Sequence, residues 1–436
     1  MGFEVKSIGE VCSVGDGAHS KVTRVETGIP YLTSKNIGQG FLKLDKLDYI
    51  SEESFEKLFS KDSKATRRPQ AGDVLFGIIG SFGNTYLYKE SDFFGFSSSI
   101  GILRPNPELL DSEYLYYVVS SKKFRDNHAN HNSGSVQGYT NIPTVKGLPL
   151  PVPSIAVQKK IAKVLQSLDR KIAVNQQTNQ TLEAMAQAIF KSWFVDFDPV
   201  KAKMRGEQPE GMDEATASLF PEKLVESELG LIPEGWEVSS LSELIKLTGG
   251  GTPKRSEETY WGGDIPWFSV KDVPSGSNVF VVDTDEKITE LGLNKSSTKL
   301  LPKGTTIITA RGTVGKLALV GTDMCMNQSC YGIRGKEVGD YYNYFNLKQA
   351  VSTLQQNTHG AVFDTITTKT FDTYSLAFGG VELADKFDAL IAPLLQKIEA
   401  NVRQNIELST LRDTLLPKLL SGEIELGQAQ ELAEVE

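Results

Sequence analysis

The sequence predicts an α+β architecture in which two globular modules, related by a pseudo-twofold axis, are separated by a long antiparallel two-helix coiled coil. Three observations predict it. Landmarks of the first half recur in the second in unchanged order, each half mixes short strand-like runs with helical stretches, and each half closes on a heptad seam.

The repeat has a period of roughly 230 residues, too long for a solenoid, so it points to one fold built twice. Gly28-Ile-Pro-Tyr-Leu-Thr-Ser-Lys-Asn36 returns as Asp264-Ile-Pro-Trp-Phe-Ser-Val-Lys-Asp272. Pro69-Gln-Ala-Gly72, an apolar run and Gly80-Ser-Phe-Gly83 return as Pro302-Lys-Gly304, an apolar run and Gly312-Thr-Val-Gly315. Ser98-Ser-Ile-Gly-Ile102 matches Ser329-Cys-Tyr-Gly-Ile333, and Gly134-Ser-Val136 matches Gly360-Ala-Val362. The spacing between copies shrinks along the chain, as expected when loops change length on a retained fold.

Within each module, runs such as Asp73-Val-Leu-Phe-Gly-Ile-Ile79 and Thr305-Thr-Ile-Ile-Thr309 read as strands bounded by turn residues. Helices are expected around residues 113–122 and 341–353. After Pro153, with Ser154 as the N-cap, Ile161, Leu165, Leu168, Ile172, Asn175, Asn179, Leu182, Ala186 and Ile189 step by four and three. The second copy places Phe387, Ile391, Leu394, Ile398, Asn401, Asn405 and Leu408 on the same seam. Asn175, Asn179, Asn401 and Asn405 at matching seam positions fix a register if buried, because an amide is satisfied only by a partner amide in one alignment; at a wet edge of the seam they would not. The resulting organisation is a first module at 1–153, a helix at 154–195, a proline- and charge-rich connection at 196–234, a second module at 235–380, a helix at 381–422 and an acidic tail at 423–436.

With 436 residues the chain exceeds one compact core. Its longest apolar run, residues 74–79, is far below the roughly 20 residues of a membrane span, and no secretory signal opens it, so a cytoplasmic protein is expected. Cys12, Cys325 and Cys330 form no pairing framework. His128 and His131 have a spacing that zinc sites use, but no acid or thiol accompanies them, and no metal site is expected. The net charge of -9 opposes a nucleic-acid partner only globally. Glu423, Glu425, Glu431, Glu434 and Glu436 concentrate acid in the tail, while Lys61, Lys64, Arg67 and Arg68 form a basic island, and local field decides phosphate binding.

Signatures of catalysis are missing. Gly312-Thr-Val-Gly-Lys316 lacks the spacing and the hydroxyl of a phosphate loop, and Gly249-Gly-Gly251 lacks a dinucleotide fingerprint. No zinc-protease, nucleophile-elbow or kinase motif is found, and the absence of any Pro-Pro pair removes the Asp/Asn-Pro-Pro-Tyr/Phe motif of amino-methyltransferases. No cofactor is expected on this chain.

Leu148-Pro-Leu-Pro-Val-Pro153 leading into Gln158-Lys-Lys-Ile161, then Ala188-Ile-Phe-Lys-Ser-Trp-Phe-Val-Asp-Phe197, and Leu229-Gly-Leu-Ile-Pro-Glu-Gly-Trp-Glu237 resemble the conserved regions of type I restriction-modification specificity subunits. The resemblance covers nearly the whole chain. It departs at Val157, where the family commonly has Glu, and at Asp385-Lys386, which stand in place of Gln-Lys. It implies two target recognition domains, each reading one half of a bipartite, asymmetric site on double-stranded DNA. It also implies two methyltransferase subunits as partners, with restriction subunits in the full complex. S-adenosylmethionine, ATP and Mg would then belong to those partners, and no membrane is involved.

On this resemblance the DNA-binding candidates of the first domain are Lys35, Asn36, Arg67, Arg68, Ser81, Asn84, Ser135 and Gln137. In the second they are Lys271, Arg311, Thr313, Lys316, Asn327 and Gln328. Arg and Lys suit guanine edges and phosphates, and Asn and Gln suit adenine edges. The competing readings are the recognition part of a self-contained modification enzyme and a coiled-coil scaffold that binds no DNA.

Overall fold

The computed structural model describes residues 3–61, 66–80, 83–130, 139–357, 365–421 and 423–435. Its contacts divide the chain into two compact units, Met1–Ile172 with Glu407–Glu436, and Ala173–Ile406, so the division falls inside both long helices.

In the first unit, Val5–Ser7 pairs antiparallel with Pro149–Pro151, tying the start of the module to the entry of the long helix. A four-stranded sheet runs in the order Cys12–Asp16, Ile100–Pro105, Val74–Gly77, Thr85–Leu87. A three-stranded sheet places Ile29–Leu32 between Asp48–Ile50 (antiparallel) and Gly95–Phe96 (parallel). Val74–Gly77 is buried at every position, the pattern of a strand covered on both faces.

The second unit repeats this plan strand for strand. Glu237–Ser240 pairs with Ser375–Phe378. The larger sheet runs Ile245–Gly249, Cys330–Gly335, Thr306–Thr309, Leu317–Val320, with Phe280–Val281 added at the edge. Trp261–Phe268 lies between Lys287–Ile288 and Cys325–Met326, with the same senses of pairing. A local signal accompanies the repeat: Ser7 N–H donates to the Glu10 carboxylate at 2.7 Å and Ser240 N–H to Glu243 at 2.9 Å, so a Ser-x-x-Glu box starts an equivalent short helix in each unit.

The long helices, expected over 154–195 and 381–422, span Ile155–Phe194 and Val381–Ser421, the second continuing through Pro393 and Pro417. Within the first unit, Ile161, Leu165 and Leu168 share a core with Leu408, Leu415, Leu416 and Leu419, and Arg412 donates to Asp169 at 2.7 Å. Within the second, Asn175 donates to Asn405 at 2.9 Å and Asn401 to Asn179 at 2.8 Å, while Phe190 packs on Phe387. Rising numbers on one helix meet falling numbers on the other, so the pairing is antiparallel. Asn179 and Asn401 are 0% and 1% exposed, so these two amides lie buried in the seam and not at a wet edge.

Each long helix also caps an earlier helix of its own unit, Ser112–Ser120 in the first and Asp340–Asn357 in the second. Gln158, fully buried, accepts from Asp111 N–H at 2.8 Å and donates to the Leu109 and Pro153 carbonyls at 2.9 and 2.7 Å. In the second unit Ala384 is buried near the helix start and Asp388 takes over the task, accepting from the Tyr341 and Tyr342 N–H groups at 3.2 and 2.6 Å. The departure around Asp385 thus exchanges one acceptor for another. Burial pushes the Asp388 carboxyl up to about 6, against the pull of its two N–H donors and helped by repulsion from Asp340 and Asp385. A folded value above the ordinary 3.8 means that this group's stabilisation is fully present below about pH 4 and is lost as pH rises to about 6. Asp388→Asn is therefore expected to gain stability relative to the parent as pH is raised from 4 to 6, read as the difference in urea midpoints. A difference constant across that window contradicts the assignment.

Residues 196–234, expected as a connection, fold onto the second unit. Pro199 opens the helix Asp198–Met204, Leu224–Ser227 pairs with Gly230–Pro233, and Val200, Phe220, Ile232 and Trp236 join the core around Phe190. Phe197 adopts φ 56°, a left-handed conformation unfavourable for a side chain, and its ring packs edge-on against Trp236 at 5.5 Å. The acidic tail likewise contains a helix, Leu426–Val435, with Ala429 buried in the first unit's core. Among the described residues no helix is long and apolar enough to cross a membrane. His128 is buried beside Phe76 and Phe124, and His131 lies outside the described residues.

Candidate nucleic-acid interface

The repeated glycines build one hairpin twice. Val74–Gly77 pairs antiparallel with Thr85–Leu87, with Gly77 N–H donating to the Asn84 carbonyl at 2.8 Å and Gly83 N–H to the Gly77 carbonyl at 3.0 Å. Residues 310–316 join Thr306–Thr309 to Leu317–Val320, with Thr309 N–H on the Lys316 carbonyl at 2.9 Å and Gly315 N–H on the Thr309 carbonyl at 2.8 Å. Gly80 and Gly83 have φ 81° and 77°, and Gly312 and Gly315 have 78° and 80°. The spacing Gly-x-x-Gly thus places glycine at the two positions of each hairpin where the backbone is left-handed. Even the flanking bridges correspond, Ile79 with Tyr139 and Arg311 with Thr365.

Two further loops meet each hairpin. In the first unit, Ser34 N–H donates to Ser99 Oγ at 3.0 Å and Ile78 N–H to the Ser99 carbonyl at 3.0 Å, bringing the Ser34–Asn36 turn and residues 97–99 against it. In the second, Asn327 N–H donates to the Phe268 carbonyl at 2.9 Å and Ala310 N–H to the Ser329 carbonyl at 2.8 Å, assembling Val270–Asp272 and residues 327–329 in the same way.

Of the second domain's candidates, Arg311, Thr313 and Lys316 are exposed on the hairpin, and Lys271 is exposed on the neighbouring turn. Asn327 accepts from Ser329 N–H at 2.9 Å, and Gln328 is exposed and bonded to Thr252. All six therefore lie on adjoining loops. In the first domain, Lys35 is exposed at the turn beside Asn36 and Asn84.

The two asparagines there are engaged locally. Asn36 accepts from Thr33 N–H at 2.9 Å and donates to the Lys43 and Lys46 carbonyls, each at 3.0 Å, and Asn84 donates to the Ile37 carbonyl at 2.9 Å. Asp272 does the equivalent work in the second unit, accepting from Ser269 N–H at 2.8 Å and Asp285 N–H at 2.9 Å.

Arg67 and Arg68 are not part of the first cluster's bonding. Arg68 grips Glu56 with both terminal nitrogens at 2.8 and 3.0 Å, donates to the Phe59 carbonyl and lies over the Phe55 ring; its hydrogen bond holds the Glu56 carboxyl below the usual range. Arg67 lines a polar cleft with Asp16, Thr66 and Lys146. Ser81, Ser135 and Gln137 lie outside the described residues. Sequence reasoning overlooked Tyr139, an aromatic 43% exposed beside the hairpin through its bridge to Ile79.

Comparison with known proteins agrees with this duplicated plan. Residues 1–184 and 233–406 match the model of the type I restriction modification DNA specificity domain. The HindI type I restriction enzyme specificity subunit of Haemophilus influenzae is 29% identical over 408 residues, covering 83% of this chain and 88% of that protein. The MjaIX specificity subunit of Methanocaldococcus jannaschii is 26% identical over 446 residues, covering 98% and 93%. The crystal structure of a type I restriction-modification S subunit from M. genitalium shares the fold, with a TM-score of 0.51 at 17% identity and 96% coverage of both chains. The matched stretches span well over half of the sequence and carry the domain once in each repeat, and the chain belongs to the family of type I restriction-modification specificity subunits.

Proposed function

We propose that this chain is the non-catalytic reader of a type I complex in the cytoplasm, with each unit recognising one half of a bipartite, asymmetric site on double-stranded DNA. The observation that carries this reading is the same cluster of hairpin and two loops built twice on one backbone plan but presenting different side chains: Arg311, Thr313, Lys316 and Gln328 in one, Lys35 and Tyr139 in the other. Equal frames with unequal exposed groups suit two unequal half-sites. Arg and Lys supply contacts to guanine edges and phosphates, and the polar side chains supply the rest.

The paired helices would fix the unread spacer and offer surfaces to two methyltransferase subunits, and through them to restriction subunits. S-adenosylmethionine, ATP and Mg would be held by those partners. A reader separate from the catalyst suits adenine methylation, because the target base must leave the duplex for a pocket while the flanking sequence is read in place.

The test is methyl transfer to duplex DNA by this chain, by methyltransferase subunits and by their mixture. Transfer by the mixture alone, with binding that weakens steeply as salt rises, is expected. Transfer by the chain alone would instead identify a self-contained enzyme, and failure to bind any duplex even with partners present would identify a scaffold.

A further inference from the structure

One arrangement outside the candidates above occurs once in each unit. In the first, the Arg24 guanidinium lies 4.8 Å from the Tyr31 ring centroid, and its Nε donates to Asp48 Oδ2 at 2.8 Å. A terminal nitrogen of Arg24 donates to the Val22 carbonyl at 3.0 Å. In the second, the Arg255 guanidinium lies 3.9 Å from Trp261 and 4.9 Å from Trp267. Both its terminal nitrogens donate to the Glu286 carboxylate, one at 3.0 Å.

These positions correspond. Tyr31 and Trp267 hold the same place in the repeated Ile-Pro element, and each meets its acid across the neighbouring strand: Tyr31 is in register with Asp48, and Trp267 N–H donates to the Glu286 carbonyl at 3.0 Å. Each arginine comes from the loop after the first strand of the larger sheet, and that loop runs against the interface loops. Ser98 N–H donates to the Ala18 carbonyl at 3.0 Å, Gly251 N–H to the Met326 carbonyl at 3.0 Å, and Thr252 bonds Gln328. Sequence alone hid the pattern, because Arg24 stands seven residues before its aromatic and Arg255 twelve before Trp267.

Exposure argues against a purely structural clasp. The side chains of Arg24 and Asp48 are 42% and 51% exposed, and those of Arg255 and Glu286 are 53% and 40%. Ion pairs this open contribute little to folding. What the geometry does achieve is preorganisation: a planar guanidinium laid on a ring and held at one edge has lost its rotamer freedom before any ligand arrives, and keeps unused N–H groups. A neighbouring carboxylate makes the pair a poor clamp for phosphate, since it cancels the charge. It makes a good reader of a base pair, with arginine donating to guanine O6 and N7 and the acid able to accept from cytosine N4.

We propose that Arg24 with Asp48, and Arg255 with Glu286, each read a G·C base pair, one in each half-site. This rests on the DNA-reading function proposed above, and the experiment separates the two. The chain, assembled with methyltransferase subunits, selects duplexes from a randomised pool as the parent and as Arg24→Ala, Arg255→Ala and Arg255→Lys. The parent is expected to select a two-part word with a G·C pair in each part. Arg24→Ala should erase that preference in one part only and Arg255→Ala in the other, each with roughly a tenfold or greater loss of discrimination. Arg255→Lys, which keeps the charge and the stem on the tryptophans, should relax the same position at unchanged melting temperature.

Unaltered preference in both parts overturns the proposal. So does an even loss of affinity over all sequences with a salt slope lower by about one, which marks a phosphate contact. Unfolding of the alanine variants while Arg255→Lys keeps full preference marks a structural clasp and overturns it as well. A parent that selects no sequence at all defeats the DNA-reading function itself.

Discussion

Phe387→Ala is expected to destabilise the unit that contains it by about 3–5 kcal/mol, the range for removing a large aromatic from a core that cannot collapse. Phe387 is fully buried on the second long helix. Its ring lies 5.6 Å from Phe190, 5.4 Å from Phe194 and 6.0 Å from Trp193 on the first long helix. It also lies 5.9 Å from Phe345 in the globular part of the same unit. One side chain therefore holds helix to helix and both to the recognition module, which is why the stretch around Trp193 is so aromatic. Urea unfolding followed by tryptophan fluorescence reads the change, since Trp193 sits in the same cluster. A loss under about 1 kcal/mol would mean that the cluster packs loosely and does not position the module.

Asn179→Leu should destabilise the same unit by about 2–4 kcal/mol, because it leaves the Asn401 amide buried without the acceptor it now uses. Asn401 Nδ2 donates to Asn179 Oδ1 at 2.8 Å, and Asn179 Nδ2 reaches Asn278 Oδ1 at 3.3 Å. Adding Asn401→Leu should recover much of the loss, since an apolar pair fills the seam without stranding a donor. The coupling between the two substitutions, taken from a double-mutant cycle of unfolding free energies, measures the register pin directly. Additive losses would show that the amides do not depend on each other.

The helices and the duplication were legible in the sequence because both write themselves in periodicity. The seam from Ile161 to Ile189 and its second copy needed only apolar spacing, and the Gly-x-x-Gly pairs marked turns that demand positive φ. Tertiary packing was less legible. Prolines at 199 and 233 read as parts of a connection between the halves, yet Pro199 starts a helix and Pro233 ends a paired strand, because Phe220, Ile232 and Trp236 have a core to join.

At the interface, local bonding already engages some of the residue types that the sequence offered. Asn36 has the chemistry to read adenine, but its amide closes a turn onto the Lys43 and Lys46 carbonyls. Arg68 has the charge to meet phosphate, but Glu56 already holds it. The paired arginines Arg24 and Arg255 escaped notice because a loop of different length separates each from its ring, and only the sheet brings them to equivalent places.

The most direct test of the account is the position of methylated adenines on DNA treated with this chain, the proposed methyltransferase subunits and S-adenosylmethionine. Two short, dissimilar words separated by a fixed number of unread base pairs are expected. A single uninterrupted word, or two words at variable separation, would contradict the proposal that one chain carries two readers of a two-part site.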